Sequence, residues 1–509
     1  SRGLGDVYKR QHYALEMNGQ VFGYVELSVA NIEDGEGSLI QLKEAVANRY
    51  TALGVPVDTE GWSEQRVDPE TGRLVFIEQA LGSSGLEVHI TASIDGNEAR
   101  IDLQPGGREK AVPLPDGVLI ENQYYFPLEK AGRIDPGPKV HRALDLLDRN
   151  IHNVRVTKRG PESVEIGGKE YQAIVVDFFD LDIGLKIRQW IDAENGYLLK
   201  SEGPRSVQRI ADRSMKNRLQ RVDIDNHLFA QVGVAITDIP AISHLKVRAV
   251  LEPVGNWITP EDLRVPGQDF VGTVEENRIE GVFEVRHEKY DGRNAPSFPP
   301  DLSGDPGLRA FLAPEDFIES DDPVLIKKAK ELTAGSRDSW EAARRLSRWV
   351  AEEIGYDIPG GASARNTYDV REGECGAHSR LMTAFCRGVG IPARVVWGCM
   401  YVSNLGGSFG QHAWNEVYMG QSGWIPIDTT AREIDYADSG HIRLGVLKSA
   451  HIALNPKRME ILDFQAGLQS FGGFQDAVET EKYQPYLGRY TGPRGIITVS
   501  LEGGGLKLT

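Results

Sequence analysis

Cys375, His412 and Asp428, in that chain order, have the side-chain types that thiol chemistry requires. A thiol that surrenders its proton to an imidazole becomes a nucleophile toward a carbonyl carbon. A carboxylate behind the imidazole fixes its tautomer and stabilises its protonated form. The three read as nucleophile, general base and acid, and orienting carboxylate of an acyl transfer. Each lies in a marked context. Cys375 sits in Gly373-Glu374-Cys375-Gly376-Ala377-His378-Ser379, His412 in Gly410-Gln411-His412-Ala413-Trp414, and Asp428 closes Trp424-Ile425-Pro426-Ile427-Asp428. Cys375, His378 and His412 could alternatively bind zinc, but that set wants a fourth ligand and leaves Asp428 without a part.

Positioning these groups asks for one helix and adjacent strands. Cys375 is expected in the first turn of a helix that buries Leu381, Met382, Phe385 and Cys386 and stops at Gly388 to Gly390. Aligned peptide dipoles and unsatisfied N–H groups at a helix N-terminus favour negative charge. They should lower the thiol from about 8.5 toward neutrality. The Cys375 N–H is a natural oxyanion donor. Strands follow from Ile391 to Gly398, His412 to Tyr418 and Trp424 to Asp428. Adjacent antiparallel pairing would let His412 face the helix with Asp428 behind its second nitrogen. Upstream, Asp322-Pro323 and Asp338-Ser339-Trp340-Glu341 open two further helices. Cys386 and Cys399 read as packing residues. His378, on nearly the same helical face as Cys375, is open between tuning the thiol and packing.

The run Gly373-x-Cys375, Gly390-Ile391-Pro392-Ala393-Arg394-Val395-Val396-x-Gly398, His412-Ala413-Trp414-x-Glu416-Val417 and Trp424-Ile425-Pro426-Ile427-Asp428-x-Thr430 resembles the transglutaminase-like superfamily. The resemblance spans roughly residues 323–444. It implies an α+β fold: a papain-related catalytic core, here preceded by antiparallel β-rich domains. It implies Cys375 as nucleophile, His412 as base and acid, and Asp428 as orienting carboxylate. His441 resembles a recurrent feature of the tail. It also implies a side-chain oxyanion donor upstream of the cysteine, for which Trp349, Tyr356 and Asn366 all qualify. Gly376-Ala377 is smaller and less polar than the pair usual there.

Around this core the chain divides, by expectation, into a β-rich domain at 12–205, a small β-sandwich at 206–295, a linker at 296–322, the catalytic domain at 323–470 and the start of a truncated β module at 471–509. Asn18-Gly19, Asp95-Gly96-Asn97, Gly167-Gly168 and Asn195-Gly196 are hairpin turns between apolar alternating runs. Residues 38–53 fit either a helix or a long strand. The layout resembles exported domains in which an antiparallel sheet curls around a helix. His12, His89, His141 and His152 are scattered and read as surface or packing residues.

Composition narrows the partners. The 509 residues are 40% apolar and 26% charged, ordinary for a folded protein, and the net charge of −17 argues against nucleic acid or an anionic membrane. The three cysteines cluster between 375 and 399, so no disulfide framework spans the chain. No apolar run approaches the ~20 residues of a membrane-crossing helix. The start lacks Met, and residues 1–11 read as a non-native arm. That reading puts the true N-terminus, with any signal peptide, outside the sequence and favours a periplasmic or extracellular setting. The chemistry calls for no metal and no cofactor. Expected function is cysteine-dependent hydrolysis of peptide or carboxamide bonds in a protein or peptide substrate. Glutamine–amine crosslinking is the alternative, and a non-catalytic binding scaffold the third reading.

Overall fold

The computed structural model describes residues 7–33, 37–83, 86–119, 137–302, 304–358, 361–467, 469–472, 488–492, 495–502 and 505–508. From Val7 to Ile210 the chain is a meander of antiparallel strands. Sequence neighbours pair, and the first strand also pairs the last, Tyr13 opposite Ile210. The hairpin signal at 18–19 acts through backbone conformation: Asn18 and Gly19 take φ of 50° and 75°, which join Val7–Met17 to Gln20–Glu33. Residues 38–52 form a strand, resolved in favour of sheet because both flanking strands offer it a full hydrogen-bonding ladder.

The sheet has two edges, Lys110–Pro113 and β1 (Gly137–Asp145), and Leu119 bridges Ala143 on β1, so the sheet curls until its edges nearly meet. Closure of this kind leaves little edge for stray pairing. After β1 come β2 (Asn150–Ile166) and β3 (Lys169–Asp180). The curl buries Tyr13, Leu27, Leu42, Ile101 and Leu103. Among the described residues between 7 and 210 there is no helix, so the helix expected inside the sheet is not found there.

The second half is organised differently. β4 (Ile242–Val254), β5 (Gln268–Glu275) and β6 (Arg278–Val285) form a sheet that is extended by a strand from near the chain's other end, β11 (Ala453–Ala466). β11 runs antiparallel along the whole of β4, from Ile242 opposite Ala466 to Val254 opposite Ala453. Between these strands the chain forms α1 (Pro323–Thr333), α2 (Ser339–Glu353), α3 (Ala364–Val370), α4 (Cys375–Gly388), β7 (Ala393–Val402), β8 (Ser408–Tyr418), β9 (Trp424–Ile427) and β10 (His441–Val446). One hydrophobic core runs through all of it. Val247, Leu251, Phe270 and Phe283 of the β4–β6 sheet share it with Leu346, Leu381, Phe385, Val395 and Trp397. Truncating a ring such as Phe283 to Ala should cost about 3–5 kcal/mol.

A strand from the 323–470 stretch thus completes a sheet whose other strands lie in the 206–295 stretch. The proline-rich run that reads as a linker is packed in place: Pro296 O accepts the Ser339 N–H at 2.9 Å and Ser297 bridges Asp338. Proline content reports a chain that cannot join a ladder, and such a chain can still be tied down.

Candidate active site

α4 starts at Cys375, as its spacing predicts, and Leu381, Met382, Phe385 and Cys386 are buried beneath it. β8 lies against the helix. Asn415 Nδ2 donates to Ser379 O at 2.9 Å and to Thr383 Oγ1 at 2.8 Å, and Ser379 Oγ donates to Ala413 O at 3.2 Å. These buried polar contacts fix where the strand carrying His412 meets the helix's first turns. Sequence reasoning missed them; polar residues on otherwise apolar faces were the available signal. In the sheet, His412 lies opposite Gly398 of β7, and Met400, two residues further on, lies opposite His441 of β10. Gly398 has no room for a side chain, since a Cβ there would come within 1.9 Å of Ile442 O.

Asp428 follows directly on β9 and is fully buried. Its Oδ2 accepts from His412 Nε2 at 2.6 Å and from His441 Nε2 at 3.1 Å. Its Oδ1 accepts the Thr430 N–H at 2.9 Å and the Ala431 N–H at 3.2 Å. Burial alone would push this carboxyl up, but the two imidazoles hold it well below the usual carboxylate range. His441 in turn sets Nδ1 3.1 Å from Asp438 O. Burial opposes its charge, yet Asp438 and Asp428 on either side raise it well above an ordinary imidazole. With Nε2–H given to Asp428, His412 keeps its lone pair on Nδ1, which has no hydrogen-bond partner among the described residues.

The Cys375 thiol lies where the Ala413 backbone N–H, next to His412, and the charge of Asp428 both act on it. Its own proton goes to Glu374 Oε2, 3.2 Å away. Glu374 caps the helix, taking the Gly376 N–H at 2.6 Å and the Ala377 N–H at 3.0 Å. This overturns the expectation of a depressed thiol. Burial first, then the Glu374 carboxylate, push it well above its ordinary value, and the Ala413 N–H only partly opposes them. The favourable end of the helix is already spent on a carboxylate. The Cys375 N–H itself has no acceptor among the described residues.

Of the three upstream residues, only Tyr356 reaches this region. Gly355–Tyr356 pairs in parallel with Glu372–Gly373, which leads directly into Glu374 and Cys375. Tyr356 is 55% exposed. Desolvation of its phenol, with Cys375 and Glu374 nearby, pushes that group up. Trp349 stacks on Tyr368 and meets Phe385 edge-on beneath the Arg371 guanidinium, which makes it a packing residue. Asn366 Oδ1 is taken by the Ala362 N–H. His378 places one ring nitrogen 3.1 Å from Glu374 O and the other 3.2 Å from Ile354 O, tying the helix to the end of α2. It does not join Cys375 and His412 in a metal-binding group among the described residues. Tyr401 is buried, its hydroxyl held between Val234 O and the Ile236 N–H.

Residues 326–429, which include Cys375, His412 and Asp428, match the family model of the transglutaminase-like superfamily. This part of the chain is a transglutaminase-like domain. Among solved structures, the chain is similar to a candidate cysteine protease from Cytophaga hutchinsonii, at 17% identity and a TM-score of 0.34, over 46% of this chain and 93% of that one. It is also similar to a β-barrel-like protein of a domain of unknown function from Brucella abortus, at 12% identity and a TM-score of 0.28, over 40% of this chain and 97% of that one. A TGase structure matches at 16% identity and a TM-score of 0.18, over 33% of this chain and 46% of that one. No curated protein matches.

Proposed function

We propose that the transglutaminase-like domain hydrolyses peptide or carboxamide bonds through a thioester on Cys375. The observation that carries this reading is the His412–Asp428 pair, whose free Nδ1 sits on the strand that meets the sulfur. Because the resting thiol is neutral, attack is general-base assisted instead of starting from a preformed ion pair. The thiol turns from Glu374, its proton passes to His412 Nδ1, and the sulfur bonds to the substrate carbonyl carbon. The oxyanion is received by the Cys375 N–H and the Tyr356 hydroxyl. His412 returns the proton to the departing amine and the C–N bond breaks. Water then attacks the thioester with His412 as base, releasing the acid and restoring the thiol. Asp428 keeps the ring in the productive tautomer throughout, and His441 holds Asp428 ionised.

A second reading, transfer to an amine, is favoured by one feature. The Glu374 carboxylate beside the sulfur would draw a cationic acyl acceptor. Casein with a dansylated amine separates the two. Peptide cleavage without incorporation supports hydrolysis, and incorporation dependent on Cys375 supports transfer. If neither activity nor a covalent adduct at Cys375 forms with thiol-directed acylating probes, both readings fail and the scaffold reading stands.

A further inference from the structure

Behind Asp428 lie two more buried carboxyls, Glu433 and Asp438, that the proposed reaction does not touch. After Asp428 the chain turns back through Arg432, whose φ is 61°, and Glu433 pairs with Asp428 backbone to backbone. The Glu433 N–H donates to Asp428 O at 2.8 Å, and the Asp428 N–H to Glu433 O at 3.1 Å. Glu433 Oε2 then accepts the Asp438 N–H at 2.8 Å. His441 sets Nδ1 3.1 Å from Asp438 O and Nε2 3.1 Å from Asp428 Oδ2. These contacts close a ring that runs from Asp428 through Glu433, Asp438 and His441 back to Asp428.

One oxygen beside this ring lacks a donor. Asp438 Oδ1 accepts the Gly440 N–H, whereas the buried Oδ2 has no hydrogen-bond partner among the described residues. Buried polar atoms rarely go without one. The Glu433 carboxyl is at hand: one side-chain N or O each from Glu433, Asp438 and His441 lie within 4.8 Å of one another. No Lys or Arg pairs with Glu433 or Asp438 among the described residues; Lys289 and Arg344 pair with Asp435 instead. Burial raises Glu433 against the pull of His441, and the Asp438 charge adds to the rise. At Asp438 the same burial is outweighed by His441, which keeps that carboxyl low. The remaining titratable groups about the ring are His412 at Asp428, His287 beside Asp438 and His441, and Tyr436 with Asp435 and Asp238 near it. Burial pushes His287 down and Tyr436 up, so neither adds charge near neutrality. Two carboxyls crowded in one buried site then hold a proton between them.

We propose that Glu433 is a positioning residue for Asp428: it stays a neutral acid, donates its proton to Asp438 Oδ2 and so locks the ring that holds His441 against Asp428. The effect on turnover rests on the acyl-transfer reading, whereas the place of the proton does not.

The test compares the full chain with Glu433→Gln, which keeps the shape and an N–H donor but has no proton to lose. Glu433 is raised in the folded state, so the unfolded parent releases a proton that the folded parent keeps, and stability falls as pH rises. In denaturant melts between pH 5 and 7, the parent's unfolding constant should rise about tenfold per pH unit relative to the variant's. Infrared spectra of the folded parent at pH 7 should show the carbonyl stretch of a buried neutral acid. That band should persist in Cys375→Ala and vanish in Glu433→Gln; should the variant not fold, the band in the parent carries the test. A flat ratio of unfolding constants would overturn the proposal. So would a missing band, as when water is the donor to Asp438 and Glu433 is ionised. In turnover, Glu433→Ala should lower kcat about 10-fold with KM little altered, and Glu433→Gln should restore most of it. Turnover untouched by Glu433→Ala but lost in Asp428→Asn would overturn the positioning role and leave acyl transfer standing. Turnover untouched by Cys375→Ala would sink acyl transfer and the positioning role with it, an outcome that the melts and spectra distinguish from a misplaced proton.

Discussion

The buried cluster around Asp428 and the cluster around Asp148 use the same two side-chain types in different arrangements. At the candidate active site one carboxylate oxygen serves two imidazoles, His412 and His441, and two backbone N–H groups complete that carboxylate. Asp438 adds a second carboxylate beside His441, and the nitrogen left free is that of His412. Between the two halves of the chain, Asp180 and Asp148 flank His152 at 2.7 and 3.6 Å and Asp145 holds His451 at 2.8 Å, so each imidazole there is tied to a carboxylate. An imidazole that keeps one nitrogen free, as His412 does, is open to act as a base, whereas one set between two carboxylates, as His152 is, serves to tie them together.

Variants that change those arrangements test the contrast, and Asp428→Asn should have the largest effect. It removes the anchor of His412 and strands the charge on His441, so turnover should fall by about 10³–10⁴-fold. Stability should drop by about 3–5 kcal/mol, as for any broken buried pair. Denaturant melts beside kinetics would separate the two losses. Unchanged stability would mean that His441 is not charged there, which would remove the contrast. Tyr356→Phe comes next. Loss of one oxyanion donor costs about 10²–10³-fold in kcat, with KM little altered. An unchanged kcat would return the donor role to an unassigned group. His441→Gln should cost less, near 10-fold, because Asp428 keeps its two backbone donors and His412. It should also move the acid limb of the pH–rate profile upward, since removing His441 raises the Asp428 carboxyl and lets it protonate at higher pH.

How much of this the sequence displays depends on the range of the interaction. The helix start at Cys375, the strand carrying His412 and the pairing with Asp428 follow from local patterns and a few short spacings. The hairpin signal at 18–19 follows from backbone chemistry alone. What stays hidden depends on distant partners. The pairing of β11 with β4 joins residues about two hundred positions apart, and no local pattern announces it. His152 looks like any scattered histidine until Asp148, Asp180 and the 449–451 segment are folded around it. Glu374 shows a third kind of gap. Its place just before the helix is legible, but its capping role and the competition of its carboxylate with the neighbouring thiolate are visible only once both occupy the same helix end.

That competition yields the smallest change and the sharpest test. With burial against it and the Glu374 side chain beside it, the Cys375 thiol is pushed above its ordinary range, so alkylation by iodoacetamide should keep rising with pH well into the alkaline region without levelling off near neutrality. Glu374→Gln keeps an oxygen to cap the helix while removing the charge. Less negative charge beside the sulfur favours the thiolate, so the rise should move to lower pH and alkylation at pH 7 should quicken about 10-fold. Cys386 and Cys399, which burial alone pushes up, should stay slow in both proteins. If the variant and the parent label along the same curve, the helix end and the imidazole control the sulfur. The resting enzyme would then be a thiolate–imidazolium pair after all, and the general-base mechanism would give way to it.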